Sequence, residues 1–121
     1  MSITLYGIPN CDQVKKARVW LDEHAIAYTF HDFKKAGINA ALVKVWLKDL
    51  AWETLVNRKG TTWRALPDAR KASITDIASA TALMLELPSI VKRPVLCIAD
   101  ENGSECHAAF SAEEYQRIFK K

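Results

Sequence analysis

Apolar positions along this chain change rhythm several times, and each change marks an element. Ser2-Ile3-Thr4-Leu5-Tyr6 reads as a short buried strand that stops in a turn at Gly7-Ile8-Pro9-Asn10. Val14, Ala17 and Leu21 then recur at helical spacing, predicting a helix over residues 12 to 24, with Pro9-Asn10 supplying turn and N-cap chemistry. Ile26 to His31 alternates apolar and polar side chains, as a half-buried strand does. These three elements form a β-α-β unit, whose crossover is right-handed and whose first strand ends at the rim where ligands bind.

From Phe33 to Ser89 the pattern is helical, clearest over Asn39 to Leu47. Another helix opens around Ser73 to Ala78, where Ser73-x-x-Asp76 has the spacing of a capping box. Strand patterning returns at Pro94 to Ile98, turns at Glu101-Asn102-Gly103 and continues over Glu105 to Ala108. Ser111-Ala112-Glu113-Glu114 starts a last helix with a capping-box sequence and acidic residues in its first turn. The order is β-α-β, a long helical stretch, then β-β-α. This is an α/β, thioredoxin-like outline: a single domain with its core over residues 1–32 and 90–121 and a helical insertion over 33–89.

Bulk properties narrow the function classes. With 121 residues, half of them hydrophobic, the chain has a globular composition and not that of a disordered segment. Seventeen Lys and Arg against fourteen Asp and Glu give a net charge of +3, too small to imply nucleic-acid binding unless the charges cluster. The basic residues Arg58, Lys59, Arg64, Arg70 and Lys71 are interrupted by the acidic Asp68, and no nucleic-acid motif accompanies them. No cleavable signal and no run of about 18 apolar residues is present, so a soluble, cytoplasmic protein is expected. The three cysteines, Cys11, Cys97 and Cys106, form an odd set with no tight pairing, which indicates neither a disulfide framework nor a zinc site and fits reducing conditions. Cys97 lies in an apolar strand and reads as core, while the role of Cys106 is open.

Candidate chemistry centres on Cys11, delivered by the first strand to the start of the first helix. Unpaired backbone N–H groups and the positive end of the macrodipole stabilise a thiolate there, and the thiolate is the nucleophilic form. The competing reading is a buried structural cysteine. Lys15 and Lys16, in the first turns, add positive potential or point into water. Arg58 ends a short apolar turn before Lys59-Gly60, as at a helix C-terminus, where it is either an anion-binding group or a solvated cap. Arg93 precedes Pro94 and is therefore held extended. The planar guanidinium offers paired donors to an oxyanion or carboxylate.

Three segments carry a family resemblance: Gly7-Ile8-Pro9-Asn10-Cys11, Asn57-Arg58-Lys59-Gly60 and Lys92-Arg93-Pro94-Val95. By these the chain resembles the arsenate reductase (ArsC)-like family along essentially its full length. In the glutathione-dependent reductases of that family a cysteine attacks arsenate, glutathione resolves the adduct, glutaredoxin completes the cycle and three arginines bind the oxyanion. The resemblance makes Cys11 the nucleophile and Arg58 and Arg93 two of those arginines; Asn10 and Lys15, flanking Cys11 in the turn and the first helix, are further candidates for binding the anion. In thioredoxin-like domains the proline at the position of Pro94 is typically cis and faces the reactive cysteine. The chain departs from the reductases in three places. It has Gly7 where they have a histidine, Gln13 and Val14 where they have hydroxyl residues, and only His107 near the place of their third arginine.

These departures bring it closer to the YffB branch, for which a glutathione-dependent thiol reductase activity is proposed. A second branch, the Spx-type regulators, binds RNA polymerase and senses oxidation through a Cys-x-x-Cys pair; Cys11-Asp12-Gln13-Val14 lacks the second cysteine. Trp20, Trp46, Trp52 and Trp63 read as packing residues, and His24 and His31 as solvent-facing or capping groups. The resulting expectation is a monomeric, monothiol oxidoreductase with glutathione as co-substrate, glutaredoxin as a possible partner, no metal, no bound organic cofactor, and neither nucleic-acid nor membrane partners. Arsenate reduction and non-catalytic binding to a transcription complex are the alternatives.

Overall fold

A computed structural model describes residues 1–120. The chain divides into two compact units, one of Met1–Asp32 with Arg93–Lys121 and one of Phe33–Lys92.

The first unit is built on a four-stranded sheet of order β2-β1-β3-β4: β1 (Ser2–Gly7), β2 (Thr29–Asp32), β3 (Val95–Asp100) and β4 (Gly103–Ala108). β1 pairs with β2 in parallel and with β3 antiparallel, and β3 pairs with β4 antiparallel. Alternation along β1 and β3 sends Ile3, Leu5, Leu96 and Ile98 to one face. There they meet Ala17, Trp20 and Leu21 of α1 (Asp12–Glu23) and Tyr115 of α8 (Ala112–Phe119). Trp20 lies edge-on to the Tyr115 ring at 5.5 Å. Burial, with the neighbouring Glu114 charge, pushes the Tyr115 phenol up.

The second strand is shorter than its alternating pattern, because α1 ends in a tight C-terminal motif that uses up the preceding residues. Ala25 N–H donates to Asp22 O and Ile26 N–H to Leu21 O, with Ala25 in the left-handed region at φ 56°. At the other end, Ser111 Oγ accepts from Glu114 N–H and caps α8.

The second unit is helical: α2 (Phe33–Ala36), α3 (Ala40–Asp49), α4 (Trp52–Leu55), α5 (Thr61–Arg64), α6 (Asp68–Ala72), α7 (Ile77–Glu86) and a short 3-10 turn at Pro88–Ile90. Asn39 caps α3 through Leu42 N–H. The capping box expected at Ser73 is displaced by three residues: Asp76 caps α7, its carboxylate accepting from Ser79 N–H while the Ser79 hydroxyl serves Asp76 N–H. Ser73 instead closes α6. The unit extends beyond residue 89 because Val91 bridges Val56 and Lys92 N–H donates to Leu55 O. Among the described residues no helix is long and apolar enough to cross a membrane.

Candidate active site

Register brings three segments to one end of the sheet. Tyr6 pairs with Val95, and Val95 with Ala108, so Gly7, Pro94 and Ala109 continue three neighbouring strands at the same level. Ala109, at φ 67°, donates its N–H to Pro94 O at 2.8 Å, fastening the β4–α8 connection to the start of β3. The Arg93–Pro94 peptide bond is cis. Beyond Gly7 the chain turns through Pro9 and Asn10 and enters α1, so Cys11 arrives at this same end.

Cys11 is itself the N-cap of α1, in place of Asn10. Its backbone is extended (φ −127°, ψ 127°) and its carbonyl accepts the Lys15 N–H at 2.9 Å. Asn10 lies one residue earlier, exposed in the turn. The Cys11 side chain makes no cap hydrogen bond, and Cys11 is the one free cysteine among the described residues, half-buried. A thiol there faces the positive end of a three-turn helix. Lys15 is exposed, one turn along the same helix face.

Gly7 and Val14 explain two departures at once. A Cβ at Gly7 would lie 2.7 Å from Val14 Cγ2, so the valine of α1 occupies the space that a side chain at the end of β1 needs. Beside them, burial pushes the Tyr6 phenol up, opposed in part by its hydrogen bond with Thr4.

Arg93 is half-buried next to the cis-proline in the first unit. Arg58 belongs to the second unit and does not end a helix: α4 stops at Leu55 because Val56 leaves it to bridge Val91. Arg58 sits in an exposed turn that Asn57 organises, its side-chain oxygen accepting from Lys59 N–H. His107 stands between carboxylates, Glu105 at 3.7 Å and Glu114 at 3.6 Å, a setting that disfavours an anion.

The cysteine expectation needs correction. Cys97 and Cys106 are register partners across β3 and β4 with Cα atoms 4.2 Å apart, and they are joined as a disulfide. Cys97 is buried in the strand as expected, but as half of a pair. Among the described residues no cluster of three or more His, Cys, Asp or Glu could hold a metal ion.

The sequence matches the ArsC family over residues 6–118. The chain belongs to the ArsC family. It is 36% identical over 117 residues to an uncharacterised protein of Haemophilus influenzae, covering 97% of this chain and 98% of that one. It is 27% identical over 122 residues to the global transcriptional regulator Spx of Staphylococcus aureus, covering 98% and 88%. Among solved structures it resembles a YffB protein, with a TM-score of 0.86 at 45% identity over 96% of this chain and 97% of that one. It also resembles an arsenate reductase (ArsC) related protein from Brucella melitensis, with a TM-score of 0.74 at 48% identity over 100% and 97%. The ArsC-family resemblance read from the motifs, its YffB branch and the mixed α/β, thioredoxin-like fold are thereby shown.

Proposed function

We propose that this chain is a monothiol oxidoreductase that uses glutathione as co-substrate and Cys11 as its nucleophile. The observation that carries this reading is the place of Cys11, a free cysteine that caps the N-terminus of α1 at the end of the sheet that also holds the cis-proline. The Cys11 thiolate attacks one sulfur of a disulfide, forming a mixed disulfide and expelling the other half as a thiolate. A glutathione thiolate then attacks the mixed disulfide, restores Cys11 and leaves with the bound half as a glutathione disulfide, which glutaredoxin reduces. Arg93 holds the carboxylates of the anionic partner through charge-assisted hydrogen bonds, and the resemblance gives Arg58 the same task. No metal or resident cofactor takes part. The setting we propose is the cytoplasm, where the protein acts as a monomer without nucleic-acid or membrane partners.

One further reading is favoured by the similarity to the arsenate reductase related protein: the same thiolate attacks arsenate, and glutathione resolves the adduct. Binding to a transcription complex, as the name of the Spx relative suggests, is not favoured here, because Val14 stands where a second cysteine would complete Cys-x-x-Cys.

Intact-mass analysis after brief exposure of the protein, its Cys97–Cys106 disulfide intact, to glutathione disulfide tests the proposal. One glutathione on Cys11, absent from Cys11→Ser, is the expected result; an unmodified Cys11 would overturn it. Turnover of arsenate with glutathione and glutaredoxin at no more than the protein-free rate removes the arsenate reading.

A further inference from the structure

Cys11, Lys15, Val19 and Glu23 follow one another at four-residue intervals and so run along one side of α1. Beside that row lies an open cleft of about 320 Å³ lined by Lys15, Lys16, Val19, Trp20, Glu23 and Phe110. It begins one turn beyond the cysteine, and Phe110 belongs to the same β4–α8 connection that Ala109 fastens to Pro94. By helix rise, Lys15 is about 6 Å and Val19 about 12 Å along the axis from Cys11. The cleft is therefore graded: two ammonium groups nearest the cysteine, apolar walls next, a carboxylate at the far end. Val19 is 53% exposed, a large apolar side chain left to solvent in the middle of this row.

We infer that this cleft selects the oxidised partner. It takes the half of the disulfide that becomes bonded to Cys11, and it favours a half with a carboxylate near the sulfur and an aromatic or aliphatic body behind it. The carboxylate meets Lys15 and Lys16, the apolar body covers Val19 and Phe110, and Glu23 repels a second anion at the far end. The inference rests on Cys11 being the nucleophile. The covalent step is ordinary exchange: the Cys11 sulfur bonds one sulfur of the disulfide, the sulfur–sulfur bond breaks, and the other half leaves as a thiolate with the electron pair.

The test compares second-order rates of Cys11 modification by bis(carboxynitrophenyl) disulfide and by bis(hydroxyethyl) disulfide, followed by absorbance and by mass. Val19→Asp should lower the aromatic rate by about fivefold or more, the equivalent of losing one apolar contact and adding a like charge, and the hydroxyethyl rate by less than about twofold. Phe110→Leu should shift the ratio the same way to a smaller extent. Lys15→Gln combined with Lys16→Gln should lower the rate with the carboxylated disulfide more than the rate with the hydroxyethyl one. Equal effects on both reagents, or none, in Val19→Asp and Phe110→Leu would overturn the cleft's role. Wild-type protein inert to both reagents, or Cys11→Ser reacting as fast as wild type, would overturn instead the assignment of Cys11 as nucleophile.

Discussion

Gly7 and Val14 compete for one space: a methyl group on the glycine would fall 2.7 Å from the valine Cγ2, inside any contact that real side chains make. Since Val14 is fully buried, it has nowhere to retreat. Gly7→Ala should therefore destabilise the protein by about 1–3 kcal/mol, and Val14→Ala in the same chain should recover part of that loss. Urea unfolding of the two single variants and the double variant measures the coupling, and strictly additive effects would show that the two residues do not share the space.

Ala25 occupies the left-handed position that ends α1, where glycine is the usual residue. Relief of the Cβ penalty there exceeds the extra unfolded-chain entropy of glycine, so Ala25→Gly should raise stability by about 0.5–1 kcal/mol. Thermal and urea unfolding check the direction.

The Cys97–Cys106 disulfide closes a short loop, its cysteines nine residues apart, between the central strand β3 and the edge strand β4. Changing both to serine, or reducing them, should cost about 2–3 kcal/mol in the chain-entropy account. Hydrogen exchange should accelerate first in β4, the edge strand that the disulfide ties to the sheet. Unchanged protection there would mean that the hairpin holds without its covalent tie.

Asp76 caps α7, and its carboxylate is held below the ordinary range by the Ser79 backbone N–H first and the Ser79 hydroxyl second. A carboxylate with a depressed folded-state pKa contributes stability above its unfolded value and loses that contribution as the pH falls through its folded value. Asp76→Asn keeps a capping oxygen without the titration. Wild type should therefore lose stability relative to Asp76→Asn as the pH drops from about 5 toward 2, and a difference constant with pH would exclude the effect.

Arg93→Ala and Arg58→Ala should each weaken glutathione binding by about 1.5–3 kcal/mol if the arginine makes a charge-assisted hydrogen bond to it. Isothermal titration distinguishes the two positions. An unaltered affinity places that arginine outside the binding site.

Much of this architecture was legible because its signals are local. The helical spacing of Val14, Ala17 and Leu21, the helical pattern from Asn39 to Leu47, the capping-box sequence at Ser111 and the Pro94 segment need only a few neighbouring residues to be read. The cis state of the bond before Pro94 was expected from the family resemblance, and the structure has it. Misread features depend on which of several available partners a residue takes once the chain folds. The hairpin turns at Glu101-Asn102, and folding the strands about those two residues sets Cys97 opposite Cys106. That register is set by the turn, and an odd number of cysteines carries no sign of it. Val56 leaves its helix for a bridge to Val91, 35 positions further on, and so Arg58 is not a helix end. Ser73 and Asp76 are both good caps, and the Ser79 hydroxyl decides between them. The cleft beside α1 needed Phe110, a residue that only the return of the chain brings near Lys15 and Lys16.

The first unit is assembled from the two ends of the chain, with Phe33–Lys92 between them. On a ribosome adding about 5–20 residues per second, that middle segment takes roughly 3–12 s to synthesise. During that time Cys11 already exists, but β1 still lacks β3, and Leu5 lacks Leu96. The nascent chain thus carries a thiol whose enclosing sheet is not yet made. Its exposure to cellular oxidants during that wait is set by the length of the inserted helices.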